Sequence, residues 1–147
     1  MESSRGGIAV QKHKNGYNCA QAVVCTYSDV LGVTEEQAFK AFEGFGFGMC
    51  GLQEVCGAVS GMIAVLGGLN SGGNDAQNFT KADTYRKGRA LAEKFRHKNG
   101  TYLCRELLGG KGAPKLRSCN GCILDACRII EQELFAGEFL PYEGEEY

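Results

Sequence analysis

The amino-acid sequence predicts an all-α protein, and three observations support this class. Apolar residues recur at the spacing of three to four residues that buries one face of a helix. Side chains that cap helices precede these apolar runs, and glycine follows them. No segment has the alternating pattern of a strand, and the 147 residues include 22 glycines but only two prolines. We therefore expect a compact bundle of about five to six helices.

A chain of this length is expected to fold as one domain, residues 1–147, with a core that needs neither disulfides nor metal to hold it together. We place the core at about residues 17–136. The segments on either side are predicted to be flexible tails, and the C-terminal one is acidic.

The first two predicted helices are defined by caps as well as by periodicity. The first covers residues 17–31, carries its apolar residues on one face and can be capped by Asn15 or Asn18. Thr34 is followed three residues later by glutamine, which is a capping box that opens a helix over residues 35–42.

A glycine-alternating loop, GFGFGMCG at residues 44–51, leads into a third predicted helix at residues 53–69. Each glycine in a helix interior costs about 1 kcal/mol relative to alanine. Repeated small residues are favoured where another backbone approaches closely, so we expect this helix to be central and buried. Gly48, Gly51 and Gly57 are the positions at which we expect the backbone to approach the functional site.

Three further helices are predicted towards the C-terminus. A long amphipathic helix covers residues 77–98 and stops at Gly100. Thr101 can cap a short helix at residues 102–108, and Ser118 can cap the last helix at residues 119–136. We interpret the many basic residues of the long helix as a solvated face, which could also dock an acidic redox partner.

Composition excludes several classes of protein. The net charge is −1 and 44% of residues are hydrophobic, so we expect neither disorder nor a nucleic-acid partner. The longest apolar stretch, residues 55–69, is shorter than the roughly 20 residues that cross a bilayer, and residues 1–10 lack the apolar core of a signal peptide. We therefore expect no membrane span and a cytoplasmic protein, in which clustered cysteines indicate catalysis or metal binding more than disulfides.

The placement of the eight cysteines is the most informative feature of the chain. Half of them fall at predicted helix starts: Cys19, Cys56, Cys104 and Cys119. Helix N-termini present free N–H groups and a partial positive charge, which favour a thiolate over a thiol. This pattern predicts redox chemistry or metal ligation, although a free cysteine is also a common core residue. The others lie deeper in helices or in the glycine loop: Cys25, Cys50, Cys122 and Cys127.

Local signatures help mainly by exclusion. Cys119 and Cys122 form a CxxC at a helix start, but the βαβ context of thioredoxins is missing and no histidine follows for haem attachment. A second CxxC for a zinc ribbon and the cysteine runs of ferredoxins are also absent. The spacing of His13 and His97 supports no catalytic cysteine–histidine pair, and His97 is interpreted as a charge at a helix C-terminus. Any site must therefore be assembled from dispersed cysteines, as a helical bundle allows.

Four short segments resemble one known family. They read NCAQAV, CGAVSG, CRELLG and a cysteine ahead of Asp125-Ala126, at residues 18–23, 56–61, 104–109 and 119–126. The order of the cysteines and the glycine-rich approach resemble the C-GCAxxG-C-C family of putative redox-active proteins over about residues 17–133. The resemblance implies a small helical protein in which four shared cysteines form a redox-active or metal site: Cys19, Cys56, Cys104 and Cys119. The other four cysteines would be additions of this chain.

Two mechanisms remain open for such a centre. The four thiolates could ligate an iron–sulfur cluster, of the [2Fe-2S] kind, and transfer electrons. Alternatively, pairs of thiols could cycle with disulfides. We favour ligation slightly, because the sequence indicates no histidine base. In either case the chain would be an oxidoreductase or an electron-transfer component with a redox partner protein. Backbone amides of the glycine loop would adjust the reduction potential of a cluster or the pKa of a thiolate.

Two alternatives belong to other classes. One is a structural zinc protein with four thiolate ligands, and the other is a helical interaction module whose cysteines only fill the core. A homodimer is also compatible with the sequence, because the glycine-rich helix could pack across a dimer as easily as within a monomer.

Overall fold

The computed structural model describes residues 1–75 and 77–147 of the chain. Within these residues the protein has seven α-helices and no β-strand, which confirms the predicted class and exceeds the expected number of helices by one or two. The helices are α1 (Gly6–Lys14), α2 (Cys19–Thr26), α3 (Glu35–Phe42), α4 (Gly57–Asn70), α5 (Lys81–Asn99), α6 (Cys104–Leu108) and α7 (Cys119–Leu134).

The first helix, α1, lies in a segment that the sequence analysis assigns to a flexible tail. Ala9 and Val10 are buried, and the helix packs against α7 and α2. Ile8 is exposed, so α1 lacks a continuous apolar face. A helix of nine residues is too short to be stable alone, and tertiary packing therefore stabilises α1.

Of the two asparagines that could cap α2, Asn18 performs this role. Its Oδ1 atom accepts a hydrogen bond from the Gln21 N–H at 2.8 Å, and Gln21 Oε1 accepts one from the Asn18 N–H at 2.9 Å. The helix ends at Thr26 rather than at residue 31, and the chain continues through turns.

The other predicted caps have different outcomes. The capping box of α3 is confirmed by hydrogen bonds of 2.9 and 3.0 Å between Thr34 and Gln37, and the helix has the predicted bounds. Ser118 caps α7, which begins where expected and ends two residues early. Thr101 does not cap α6; its hydroxyl accepts a hydrogen bond from the Leu103 N–H, 3.0 Å away and before the helix begins.

A short antiparallel pairing precedes α4 and α6 and delays the start of both helices. The Cys56 N–H donates to the Tyr102 carbonyl at 2.8 Å. The Cys104 N–H donates in return to the Glu54 carbonyl at 2.6 Å. Because the backbone is extended there, α4 begins at Gly57 instead of residue 53, and α6 begins at Cys104 instead of residue 102.

The glycine-rich helix α4 is central, as predicted, and packs against α2, α5 and α7. Its contact with α2 is a close backbone approach. A Cβ added at Gly61 would lie 2.9 Å from Val23 Cβ, and one added at Gly57 would lie 3.1 Å from Cys19 Cβ. The glycines therefore let α2 and α4 pack more closely than larger residues would.

The long helix α5 begins at Lys81, four residues later than predicted, and ends at Gly100, whose φ of 85° is left-handed. Its basic residues form ion pairs on the surface, such as Arg86 with Asp83 at 2.7 Å. This arrangement agrees with a solvated face. None of the helices within the described ranges is long and apolar enough to cross a membrane.

The two chain ends pack against each other rather than extending as tails. The Leu140 N–H donates to the Glu2 carbonyl at 2.8 Å, and the Glu2 N–H donates to the Glu138 carbonyl at 2.9 Å. The Lys14 ammonium donates to the Tyr147 hydroxyl at 3.1 Å. The N- and C-terminal segments therefore lie paired beside α1 and α7.

Candidate functional site

Four helix N-termini converge on one cavity of about 150 Å³. Cys19, Cys104 and Cys119 are the first residues of α2, α6 and α7, and Cys56 is the N-cap of α4. All four cysteines line the cavity. The structure thus places the predicted site cysteines at helix starts and brings them together, although they are far apart in sequence.

A fifth cysteine, Cys122, lines the same cavity although the sequence analysis set it aside. It lies three residues after Cys119, and this spacing puts both on one face of α7. The spacing in the sequence therefore already indicated that Cys122 lies on the same helix face as Cys119. Cys25 and Cys127 are buried outside the cavity, and burial raises their pKa values to about 11 and about 12, respectively. Cys50 is exposed in the glycine loop.

Close packing of backbones sets the positions of the sulfurs. Gly57 lines the cavity where α2 meets α4, and a Cβ added there would lie 3.0 Å from the Phe45 carbonyl oxygen. The antiparallel pairing before α4 and α6 holds Cys56 beside Cys104. The helix α7 packs on both α2 and α4, which brings its first turn to the same cavity.

The glycine loop is held against the start of α2. The Asn18 side chain, which caps α2, also donates from Nδ2 to the Glu43 carbonyl at 2.9 Å. Gly48 lines the cavity with a left-handed φ of 68°, and an added Cβ would lie 2.5 Å from Gln53 Cα. Of the three glycines predicted to approach the site, Gly51 alone does not line the cavity.

Cys19 and Cys119 form a hydrogen-bonded pair with opposite ionisation. The Cys19 thiol donates to the Cys119 sulfur and thereby lowers the pKa of Cys119 to about 6. Partial burial opposes this shift, and the charges of His13 and Lys115 reinforce it. The same hydrogen bond and burial raise the pKa of Cys19. At neutral pH the pair therefore consists of a Cys119 thiolate and a Cys19 thiol.

Cys56 and Cys122 form a second pair of the same kind. The Cys122 thiol donates to the Cys56 sulfur, which lowers the pKa of Cys56 and raises that of Cys122. The N–H groups of Ala58 and Val59, at the start of α4, also lower the pKa of Cys56. Both cysteines are buried, with 6% and 2% of their surface exposed.

Cys104 belongs to neither pair, although the antiparallel pairing holds it beside Cys56. Burial raises its pKa to about 11, and the nearby sulfurs of Cys56 and Cys119 act in the same direction. Cys104 is therefore a protonated thiol at neutral pH, at the edge of a cavity that already holds two thiolates.

His13 faces the Cys19–Cys119 pair from α1. Its Nδ1 atom lies 2.6 Å from Asn120 Oδ1, so Nδ1 carries the hydrogen that this oxygen accepts. Its Nε2 atom lies 4.0 Å from Cys19 Sγ. The sequence spacing did not indicate that His13 lies near Cys19, and the absence of a catalytic cysteine–histidine pair stays a prediction. The contact depends on α1 folding back on α2 and α7, which no local pattern indicates. His97 lies in the last turn of α5, as interpreted.

A cation is also fixed at the cavity. Arg117 lines it and pairs through Nε with Asp125 Oδ2 at 3.0 Å. Asp125 is 1% exposed and also pairs with Lys98 and with Arg128. The buried carboxylate therefore holds the guanidinium beside Gly121 in the first turn of α7. From the sequence, Asp125 stood out only as part of the family-like motif.

The side chains in the cavity that could act as metal ligands are five cysteines and His13, and its other walls include apolar side chains of Phe47, Leu107 and Leu108. Among the residues that the structure describes, no three His, Cys, Asp or Glu side chains are grouped so as to hold a single metal ion. The arrangement is chemically suited to disulfide formation within each pair. It also presents cysteine sulfurs from four helix N-termini, and their thiolate forms are the ligands that iron–sulfur clusters require.

Comparison with known proteins gives one result. The family described as "Putative redox-active protein (C_GCAxxG_C_C)" matches residues 17–133. The matched segment contains all five cysteines of the cavity but not His13. No curated protein and no solved structure matches the chain.

Proposed function

The chain belongs to the C_GCAxxG_C_C family of putative redox-active proteins, and we propose that its working centre is the Cys19–Cys119 pair, which cycles between dithiol and disulfide. The observation that carries this proposal is that Cys19 and Cys119, the first residues of α2 and α7, line one cavity. Their mutual contact shifts the two pKa values in opposite directions, which supports it. Thiol–disulfide exchange needs one thiolate that attacks and a second thiol that resolves the intermediate.

Exposure and ionisation together assign the two roles. Cys119 has a pKa of about 6 and is the less buried of the two, so it is the nucleophile that meets a substrate disulfide. Cys19 is buried and protonated, which suits a resolving thiol. The neighbouring positive groups, His13 and Lys115, favour the Cys119 thiolate.

The reaction is an exchange in which atoms and electrons balance. The Cys119 thiolate attacks one sulfur of a disulfide substrate, so that a mixed disulfide forms and one substrate thiolate leaves. Cys19 then attacks Cys119 Sγ, and the second substrate sulfur leaves while the Cys19 proton ends on a released sulfur. The substrate gains two electrons and the chain loses two. A dithiol reductant restores the starting state by the reverse steps.

An iron–sulfur centre is the second candidate, and one observation favours it. Five cysteines and four helix N-termini surround a single cavity, and helix N-termini stabilise negative charge. Cys19, Cys56, Cys104 and Cys119 would hold a cluster, which would supply one-electron transfer. We place it second because the sulfurs lie in two hydrogen-bonded pairs with Cys104 apart.

The two candidates are separated by purifying the full chain without oxygen and measuring iron, sulfide, zinc and visible absorption. We expect a colourless protein without stoichiometric metal. Equilibration in glutathione redox buffers, followed by alkylation and mass spectrometry, should then detect a Cys19–Cys119 disulfide. Cys25→Ser is the matched control, since Cys25 is buried outside the cavity, and it should leave this disulfide unchanged.

Other results would identify other functions. Stoichiometric iron and sulfide would favour the cluster, and stoichiometric zinc would favour a structural thiolate site. If all thiols stay reduced under oxidising buffer and no metal is found, the cysteines are core residues and the redox proposal fails.

A further inference from the structure

We infer that Cys56 and Cys122 form a second, inner dithiol that exchanges electrons with the Cys19–Cys119 pair, so that one chain can reduce two substrate disulfides in sequence. This inference rests on the proposed function of the Cys19–Cys119 pair. It gives a role to Cys122, which neither the family motif nor the sequence analysis placed in the site.

The inner pair is built by the packing of two helices. Cys56 ends the extended segment that precedes α4, and Cys122 lies in the first turn of α7. The helices α4 and α7 pack directly on each other. Both cysteines are buried and line the same cavity as the outer pair. The contact between the two thiols lowers the pKa of Cys56 and raises that of Cys122, as expected for neighbouring sulfurs.

The CxxC formed by Cys119 and Cys122 therefore joins two pairs instead of being a pair itself. Cys119 is hydrogen-bonded to Cys19 on α2, and Cys122 is hydrogen-bonded to Cys56 at the start of α4. Since Cys119 and Cys122 occupy successive turns of one face of α7, the helix holds the outer and inner pairs next to each other across the cavity.

Burial makes the inner pair dependent on the outer one. Cys56 and Cys122 are both at most 6% exposed, whereas Cys119 is only half-buried. A bulky disulfide substrate can therefore reach Cys119 more readily than either inner sulfur. We therefore expect electrons from the inner pair to leave through the Cys19–Cys119 disulfide.

The internal exchange also balances. After a substrate has oxidised the outer pair, the Cys56 thiolate attacks Cys119 Sγ, and Cys19 leaves as a thiolate. Cys122 transfers its proton to Cys19 and attacks Cys56 Sγ, which releases the Cys119 thiolate. The inner pair becomes a disulfide, the outer pair regains its thiolate and thiol, and two electrons have moved outwards. A second substrate disulfide can then oxidise the outer pair again.

The test uses metal-free full chain carrying Cys50→Ser, which removes the exposed cysteine that could cross-link molecules. The parent is incubated with excess glutathione disulfide, and samples are alkylated over time and mapped by mass spectrometry. We expect the parent to lose four thiols, as Cys19–Cys119 and Cys56–Cys122 disulfides.

Three variants test the order of the steps. Cys122→Ser should lose only two thiols and should still form the Cys19–Cys119 disulfide. Cys119→Ser should slow Cys56–Cys122 formation at least tenfold. Cys25→Ser is the matched control and should behave as the parent.

The possible results separate this inference from the function on which it rests. Loss of only the Cys19–Cys119 thiols in the parent would overturn the inner dithiol and leave the proposed function standing. A Cys119–Cys122 disulfide in place of the two expected ones would overturn both the inner dithiol and the assignment of Cys19 as the partner of Cys119. Unchanged inner oxidation in Cys119→Ser would overturn the exchange between pairs. Loss of no thiols would overturn the proposed function itself. Should Cys122→Ser fail to fold, as judged by circular dichroism, Cys56→Ser must give the same loss of two thiols.

Discussion

The ionisation of Cys119 depends on neighbours of different kinds. The largest effect is the hydrogen bond from Cys19, which lowers the pKa of Cys119, while partial burial opposes it. His13 and Lys115 add positive charge without a direct bond to the sulfur. Because the thiolate is the reactive form, the reactivity of Cys119 should follow a titration near pH 6 and not one near the ordinary thiol pKa.

Replacing His13→Gln tests the electrostatic contribution at this residue. Loss of the positive charge should raise the pKa of Cys119 and reduce its alkylation rate at pH 6 about twofold or more, because less thiolate is present. The measurement is the pH profile of alkylation at Cys119, followed by mass spectrometry. His97→Gln is the matched control, since His97 lies in the last turn of α5. Equal profiles in the two variants would contradict the assigned effect of His13.

At the level of elements, the contact between α2 and α4 decides where the sulfurs lie. The two helices approach closely at Gly57 and Gly61, and this approach brings Cys19 to the cavity that Cys56 lines. A larger residue at Gly61 would have to move Val23 or the Ala20 carbonyl, which lie 2.9 and 3.1 Å from an added Cβ. A shift of either helix would also change the spacing of the sulfurs.

Two alanine substitutions in α4 separate close packing from helix propensity. Gly61→Ala should lower the free energy of unfolding by about 1–3 kcal/mol, because the overpacked contact outweighs the gain in propensity. Gly67→Ala meets only Thr84 Cγ2 at 3.9 Å, and it should raise the free energy of unfolding by up to about 1 kcal/mol. Urea denaturation measures both. If the two variants gain equal stability, the close approach at Gly61 is not required.

At the level of the whole molecule, one buried carboxylate joins distant parts of the chain. Asp125 on α7 pairs with Lys98 at the end of α5 and with Arg117 at the cavity. Arg117 in turn donates to the Tyr147 carbonyl in the C-terminal segment. Asp125 therefore connects the cavity, through Arg117, to the packed C-terminal segment.

Asp125→Asn should destabilise the whole protein. Loss of the charge on Asp125 removes a buried carboxylate that pairs with three cations, so we expect the free energy of unfolding to fall by about 2–3 kcal/mol. Glu93→Gln is the matched control, because Glu93 pairs with Arg96 on an exposed surface and should cost less than about 1 kcal/mol. Thermal and urea unfolding would measure both changes, and similar losses would contradict a special role for Asp125.

The starts of α3 and α7 were predicted at the correct residue because capping is local chemistry. The box of Thr34 with Gln37 and the cap by Ser118 involve residues within three positions of each other. The same local logic placed Cys19 and Cys119 at helix starts. By contrast, α1 was missed because two buried residues give too little periodicity, and α4 begins late because residues 54–56 pair with a segment almost 50 positions away.

The sequence by itself determined the all-α class, the glycine-rich central helix and the thiol-bearing helix starts, because caps, periodicity and the helix dipole act within one or two turns. Only the tertiary structure decided which sulfurs are partners, that Cys122 joins them, and that His13 faces Cys19. Those contacts cross from α1 and α4 to α2 and α7. They depend on how closely whole helices approach, and that distance is set by the packing of the entire core.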